Sequence, residues 1–200
     1  MTLFLYIFQN EEICMAAVKE DGWALLYVEH QNAEICMAAV KQAGFALQYV
    51  KEQTLDICMT AVKQHGLALQ YVKQQTKDIC VNAIKNHEDA LQYVQEQTED
   101  LCLDAVNRDI MTLKYIKDKT ILNSICNSLN IIYLPSNANH KDLIIRFIDG
   151  KYRCWIGCQK DISVDTLILQ IYNTNGGLPE NPHRQHYIDF LKKHNLYNIA

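Results

Sequence analysis

A cysteine returns every 22 residues along the first half of this chain, and a tyrosine follows each one thirteen positions later. The cysteines are Cys14, Cys36, Cys58, Cys80 and Cys102, and the tyrosines are Tyr27, Tyr49, Tyr71, Tyr93 and Tyr115. Self-similarity at a fixed period is the signature of a tandem array whose units pack on their neighbours. The spacing therefore predicts five stacked repeats.

Each repeat opens with a residue suited to cap a helix. Four positions before each of the five cysteines stands an asparagine or a threonine, whose side chain accepts a hydrogen bond from a free backbone N–H. An acidic residue follows two positions later, where it meets the positive end of the helix dipole. The predicted caps are Asn10, Asn32, Thr54, Thr76 and Thr98, with Thr120 continuing the column.

The third repeat shows how the residues after the cap divide into two helices. The segment LDICMTAVKQ predicts a helix whose apolar residues share one broad face, with Cys58 near the middle of that face. A second helix, LALQYVKQ, presents Ala68, Leu69 and Val72 as an apolar edge with Tyr71 beside it. Helices this short bury little surface alone, so neighbouring repeats must stack into a continuous core. The pattern predicts an α-solenoid.

A glycine separates the two helices in the first three repeats, at Gly22, Gly44 and Gly66. Glycine is common at helix ends because it adopts the left-handed conformation without steric cost. The fourth and fifth repeats carry Glu88 and Ile110 at this position. Either the turn changes in those two repeats, or it does not need a positive φ angle.

These columns combine into the pattern (T/N)-x-(D/E)-I-C-x-x-A-V-K-x-x-G-x-A-L-x-Y-V over residues 11–120. The pattern resembles a repeat family of unknown function that is abundant in mimivirus-like giant DNA viruses and occurs in some intracellular bacteria. The resemblance implies a helical repeat protein of viral origin that acts inside cells. The family has no catalytic residues, so the resemblance transfers none to this chain.

The period ends before the chain does. Cys126 comes 24 residues after Cys102, and no copy of ALQYV follows it, which predicts a terminal half-repeat. We therefore expect a repeat array over 1–133, a linker over 134–142 and a small ββαα module over 143–200. The predicted fold class is mainly α: an α-solenoid of two-helix, 22-residue repeats followed by a small α+β module.

The sequence of the C-terminal module predicts one hairpin and two helices. Two β-like runs flank Asp149-Gly150, a dipeptide typical of a two-residue hairpin turn. Ser163 is predicted to cap the first helix. Asn181 is predicted to cap the second helix, with Pro182 as its first residue.

The module also contains a combination of residue types that zinc prefers: Cys154, Cys158, His183 and His186. On a single strand the thiols of Cys154 and Cys158 would lie about 13 Å apart, too far for two ligands of one ion, unless the chain turns at Gly157. We therefore predict no metal, no cofactor and no catalytic residue. Metal binding or a cysteine-dependent activity at these four residues is the alternative.

Composition limits the classes of partner. The 200 residues carry 19 basic and 23 acidic side chains, a net charge of −4, which disfavours binding to nucleic acid through phosphate contacts. No stretch approaches the roughly 20 apolar residues that span a bilayer, and the opening apolar run has no Lys or Arg before it to indicate a secretory signal. The eight cysteines are therefore expected to be free thiols in a cytoplasmic protein, located in the host cell or the virion if the chain is viral.

The sequence thus predicts a non-enzymatic repeat scaffold that binds protein partners. The candidate binding residues are the five repeated tyrosines, which would form a ladder along one surface of the solenoid. The alternative is that their rings only cover the edge of the core. The repeated cysteines are interpreted as packing residues, because stacked helices lie about 8–10 Å apart, beyond the Cα separation that a disulfide allows.

Overall fold

The computed structural model describes residues 10–136, 141–156, 159–173 and 182–196. The chain divides into two compact units, Met1–Asp118 and Lys119–Ala200. This division falls earlier than the expected boundary at residue 133. The reason is that the helix Lys119–Ser128 packs on the first strand of the second unit.

The first unit repeats one design five times, an α-helix of ten residues followed by a 3-10 helix of six. The α-helices α1–α5 are Glu11–Glu20, Ala33–Gln42, Leu55–Gln64, Lys77–Asn86 and Glu99–Arg108. The 3-10 helices are Gly22–Tyr27, Gly44–Tyr49, Gly66–Tyr71, Glu88–Tyr93 and Ile110–Tyr115. The predicted solenoid of helix pairs is confirmed, and we number its repeats 1–5 in chain order.

The 3-10 geometry of the second helix suits the short repeat. A 3-10 helix rises about 2.0 Å per residue and an α-helix about 1.5 Å, so six residues reach about 12 Å in the first form and about 9 Å in the second. The α-helix that each 3-10 helix packs against is about 15 Å long. The tighter winding therefore lets six residues cover most of that length.

Side-chain caps define the starts of repeats 1–4. Asn10, Asn32, Thr54 and Thr76 each accept a hydrogen bond from a backbone N–H of the first turn, as predicted. Thr98 occupies the cap position of α5 without such a bond. Thr120 is not a cap, because α6 (Lys119–Ser128) already begins one residue earlier. α6 begins 20 residues after the start of α5 at Glu99, so the 22-residue register of the array ends at this point.

Repeat 3 shows how the core is built. Its fully buried apolar residues are Ile57, Cys58, Ala61 and Val62 on α3, followed by Ala68, Leu69 and Val72. The corresponding residues of repeats 2 and 4 are buried as well. The predicted apolar face is therefore confirmed for these residues, with Cys58 inside it and Tyr71 half-buried at its edge. Met59, which was expected on the same face, is half-exposed instead.

The three repeat glycines do not adopt a left-handed conformation, so the turn does not need a positive φ angle; the only glycine with positive φ in the described residues is Gly150. What requires glycine is the closeness of the next repeat. A Cβ added to Gly22, Gly44 or Gly66 would lie 2.5, 2.6 or 2.4 Å from a backbone carbonyl oxygen of the following α-helix.

The second unit contains a four-stranded antiparallel sheet in the order β1-β2-β3-β4. Its strands are Ile131–Leu134, Leu143–Ile148, Lys151–Ile156 and Gln159–Ser163. The ββαα prediction therefore missed the two edge strands, which are only four and five residues long. The segment 134–142 was expected to be a linker; its first residue, Leu134, is instead the last residue of β1, and β2 begins directly after the segment at Leu143.

The predicted hairpin between β2 and β3 is confirmed. Ile148 pairs with Lys151, and both turn residues have positive φ, 49° at Asp149 and 78° at Gly150. Positive φ at both positions matches the twist of the flanking strands, which is why Asp-Gly favours this turn.

Two helices come after the sheet, α7 (Val164–Asn173) and α8 (Pro182–Lys193). Ser163 caps α7 as predicted, because its Oγ accepts the N–H of Thr166 at 3.1 Å. Asn181, the predicted cap of α8, lies outside the described residues. The buried core of this unit is formed by Leu143, Ile145, Cys154, Leu167, Ile188 and Leu191. Across the described segments, no helix combines the length and apolar character needed to cross a bilayer.

Candidate protein-interaction surface

The tyrosine column lies along the 3-10 helices. Tyr27 is 60% exposed, while the other four tyrosines are half-buried. The ring of Tyr49 meets the ring of Trp23 edge-on at 6.0 Å, and Tyr71 meets Phe45 in the same way at 6.2 Å. These two rings therefore pack on an aromatic residue of the preceding repeat and also keep a solvent-facing part.

Apolar exposure on the 3-10 side is concentrated in repeat 1. Trp23 is 44% exposed and Leu26 is 51% exposed, next to the more exposed Tyr27. We call these three residues the aromatic patch. Later repeats carry polar residues in the column of Leu26, namely Gln48, Gln70, Gln92 and Lys114. The 3-10 surface of the described repeats is thus apolar at repeat 1 and becomes polar along the later repeats.

A glutamine in each loop between repeats connects one repeat to the next. Gln53 donates an amide N–H to the carbonyl of Tyr71 at 2.8 Å, and its side-chain oxygen accepts the backbone N–H of Lys73 at 3.0 Å. Gln31, Gln75 and Gln97 repeat both bonds. Each of these glutamine staples satisfies a carbonyl that the end of a short helix leaves unpaired, together with an N–H of the loop that follows the helix.

A second amide acts at the other end of the 3-10 helices. The side-chain oxygen of Gln42 accepts the N–H of Gly22 at 2.7 Å, and Gln64 accepts that of Gly44 at 2.7 Å. Asn86 completes the series by accepting the N–H of Gly66 at 2.6 Å. The 3-10 helices of repeats 2 and 3 are therefore held at their first residue by the following repeat and at their last residue by the glutamine of the preceding loop. Sequence reasoning missed both amide columns, although the glutamines recur at the same 22-residue period.

The repeated cysteines belong to this hydrogen-bond arrangement. The Cys58 thiol donates to the side-chain oxygen of Gln53 at 3.6 Å, and repeats 2 and 4 contain the same contact at 3.5 and 3.6 Å. Burial raises the pKa of the Cys58 thiol and, with nearby carboxylates, raises that of Cys102 to about 11. All seven cysteines in the described residues are free thiols. The repeated thiol is thus a buried weak donor that packs beside the staple.

We expect these buried thiols to react slowly with iodoacetamide at pH 8. The thiolate is the reactive form, and a pKa of about 11 leaves Cys102 with about 100-fold less thiolate than an ordinary cysteine of pKa about 9. Raising the pH towards 11 should speed its labelling. Peptide-resolved mass spectrometry of native and guanidinium-unfolded protein measures each rate, and fast native labelling of Cys58, Cys80 or Cys102 would contradict this prediction.

The structure gives no support to the alternative zinc site where its residues are described. Cys154 lies in the apolar core of the second unit, where burial raises the pKa of its thiol to about 12. His186 is exposed on α8. Cys158 lies outside the described residues, as does the side chain of His183. Within the described residues, no three His, Cys, Asp or Glu side chains come close enough to share a metal ion.

The stacked helix pairs define a tandem helical-repeat protein. A family model described as "Domain of unknown function (DUF4116)" matches the chain twice in succession, over residues 10–54 and 54–97. Each matched segment covers two of the 22-residue repeats, so the array is similar to this family over repeats 1–4. Comparison with curated proteins and with solved structures gives no match.

Proposed function

We propose that the chain is a non-enzymatic scaffold that binds a protein partner through the 3-10 surface of repeats 1 and 2. The observation that carries the proposal is the aromatic patch: Trp23, Leu26 and Tyr27 are about half exposed. The Gln42 side chain of the next repeat holds the backbone just before them, because it accepts the N–H of Gly22 and donates to the carbonyl of Glu20. Tyr49 extends the patch through its contact with Trp23.

This composition suits a protein interface. Trp and Tyr are enriched among the residues that dominate binding energy, because they bury a large area at a small cost in side-chain entropy. The staples add rigidity, and a preorganised surface loses less conformational freedom on binding. Tyr27 and Tyr49 would then act as the principal tyrosine contacts, and Tyr71, Tyr93 and Tyr115 as adjoining ones.

Charges around the patch favour a basic peptide segment over nucleic acid. Glu20, Asp21 and Glu29 are exposed beside the patch, in a chain of net charge −4. Phosphates would be repelled here, whereas a partner that places an apolar side chain between Lys or Arg residues would be attracted.

We propose that the protein acts in the cytoplasm of an infected cell or within a virion. The support is the resemblance of its repeat pattern to a family abundant in giant DNA viruses, together with the match to the domain of unknown function over repeats 1–4.

The test is quantitative affinity purification of the full chain from infected-cell cytoplasm and from purified virions. We expect Leu26→Gln and Tyr27→Ala each to reduce recovery of the specific partner at least 10-fold, the loss typical of a residue that dominates an interface. Leu26→Gln should not disturb the fold, because repeats 2–4 carry glutamine at the equivalent position. Circular dichroism checks the fold of each variant.

The matched control is Gln70→Ala, a substitution in the same column two repeats away, on an exposed side chain. It should retain the partner at the level of the unmodified chain. A partner retained by both patch variants would overturn the proposed surface. A partner retained by a chain ending at residue 118 but lost in the patch variants would support it directly.

A further inference from the structure

The outer face of the five α-helices carries three parallel rows of side chains. One row is acidic: Glu12, Glu34, Asp56, Asp78 and Asp100. The middle row is apolar: Met15, Met37, Met59, Val81 and Leu103. The third row is basic in repeats 1–4: Lys19, Lys41, Lys63 and Lys85. All residues of these rows are exposed or half-exposed, so the rows lie on the surface opposite the core.

Helix geometry explains the order of the rows. The acidic residue and the lysine of one helix are seven positions apart, which places them on the same side and about 10 Å apart along the axis. The middle residue lies between them. Because α1–α4 each carry the acidic residue in the first turn and the lysine in the last turn, the rows run across the stack with a fixed direction.

These charges lack ion-pair partners within the described part of the chain, with one exception: Asp100 lies 3.9 Å from Lys77. Neither the other four acidic residues nor the four lysines appear in an ion pair there. Between α1 and α2, the middle row opens into a groove of about 750 Å³ lined by Met15, Met37, Ala33 and Ala38. The face is thus apolar in the middle, with unpaired charge of opposite sign along its two sides.

We propose that this face binds the same face of a second copy of the chain. A two-fold axis parallel to the stacking direction sets the α-helices of the two copies antiparallel. The acidic row of each copy then faces the lysine row of the other, and the two middle rows meet. A two-fold axis parallel to the helices would set like charges against each other, so the charge pattern selects the first arrangement.

The size of the face fits a second copy. Five helices about 15 Å long, spaced about 8–10 Å apart, give a face of roughly 600–750 Å² per copy. Two such faces bury roughly 1,200–1,500 Å², within the range of stable interfaces. A single helix from another protein, about 10 Å wide, would cover the middle row and leave most of both charged rows without partners. Only a second copy pairs both rows at once.

Charge reversal tests this arrangement on the full chain. One variant, Lys41→Glu/Lys63→Glu/Lys85→Glu, makes both outer rows acidic. The other, Glu34→Lys/Asp56→Lys/Asp78→Lys, makes both outer rows basic. We expect the unmodified chain to dimerise in analytical ultracentrifugation, more weakly as salt is raised. Each variant alone should dimerise about 100-fold more weakly, because several attractive pairs become repulsive.

Mixing the two variants supplies the decisive measurement. Equal amounts should form dimers that contain one copy of each variant, because acidic rows then face basic rows, and native mass spectrometry identifies them by mass. Formation of dimers on mixing also shows that both variants are folded. Three results would each overturn the proposal. The unmodified chain could be monomeric at about 100 μM, the dimer could be unaffected by either charge reversal, or the mixture of the two variants could stay monomeric.

Discussion

Replacing Gly66 with alanine is expected to lower the free energy of unfolding of the repeat array by about 3 kcal/mol. The added Cβ would lie 2.4 Å from the carbonyl oxygen of Ala83 and 2.9 Å from both the N and Cβ atoms of His87. These atoms lie at or next to the backbone of the following repeat, so no side-chain rotation relieves the clash. Relief requires α4 to move away, which stretches the 2.6 Å bond from the Gly66 N–H to Asn86.

Urea unfolding followed by circular dichroism measures this loss, and hydrogen exchange locates it. Because each repeat of a solenoid contacts only its neighbours, we expect amides of repeats 3 and 4 to lose the most protection. Gly150→Ala is the control. Its Cβ would meet nothing within 4 Å, so only the strain of φ +78° remains, and that strain lies in the second unit. Equal protection of repeats 3 and 4 in Gly66→Ala and the unmodified chain would contradict the prediction.

Much of the array could be predicted because one period appears in several columns at once. The caps at Asn32 and Thr54 marked where helices begin, and apolar spacing placed Cys58 on the buried face; the structure confirms both. Each of these inferences depends on local physics, either the unpaired N–H groups of a helix start or the angle between successive side chains. Local signals of this kind can be recognised in the sequence itself.

The features that eluded prediction depend on contacts between repeats. Gly44 is compatible with a left-handed turn and with close packing, and only the position of Ala61 on the next helix decides between them. In the sequence Gln53 cannot be distinguished from an ordinary loop residue, because its hydrogen-bond partners, Tyr71 and Lys73, come 18 and 20 residues later. Its 22-residue recurrence was the available signal. The same limit applies to β1, whose four residues are recognised as a strand only by pairing with β2.

The glutamine staple leads to the second large effect. We expect Gln75→Ala to lower the free energy of unfolding by about 2 kcal/mol, and Gln74→Ala, its exposed neighbour in the same loop, by less than about 0.5 kcal/mol. Alanine at position 75 removes the partner of the Tyr93 carbonyl at 2.9 Å, of the Gln95 N–H at 3.0 Å and of the Cys80 thiol at 3.6 Å. Water reaches this loop only in part, so it replaces these bonds incompletely.

The variant Gln75→Glu distinguishes the hydrogen bond that the staple donates from those that it accepts. At pH 7 the carboxylate still accepts the Gln95 N–H, but it cannot donate to the Tyr93 carbonyl and repels it. We therefore expect a loss of stability at least as large as that of Gln75→Ala. Protonation restores one donor beside one acceptor, so the deficit relative to unmodified protein should shrink between pH 7 and pH 4. A pH-independent deficit in parallel urea unfolding curves would show that the donated bond contributes nothing. The staple would then stabilise the array through its accepted bonds alone.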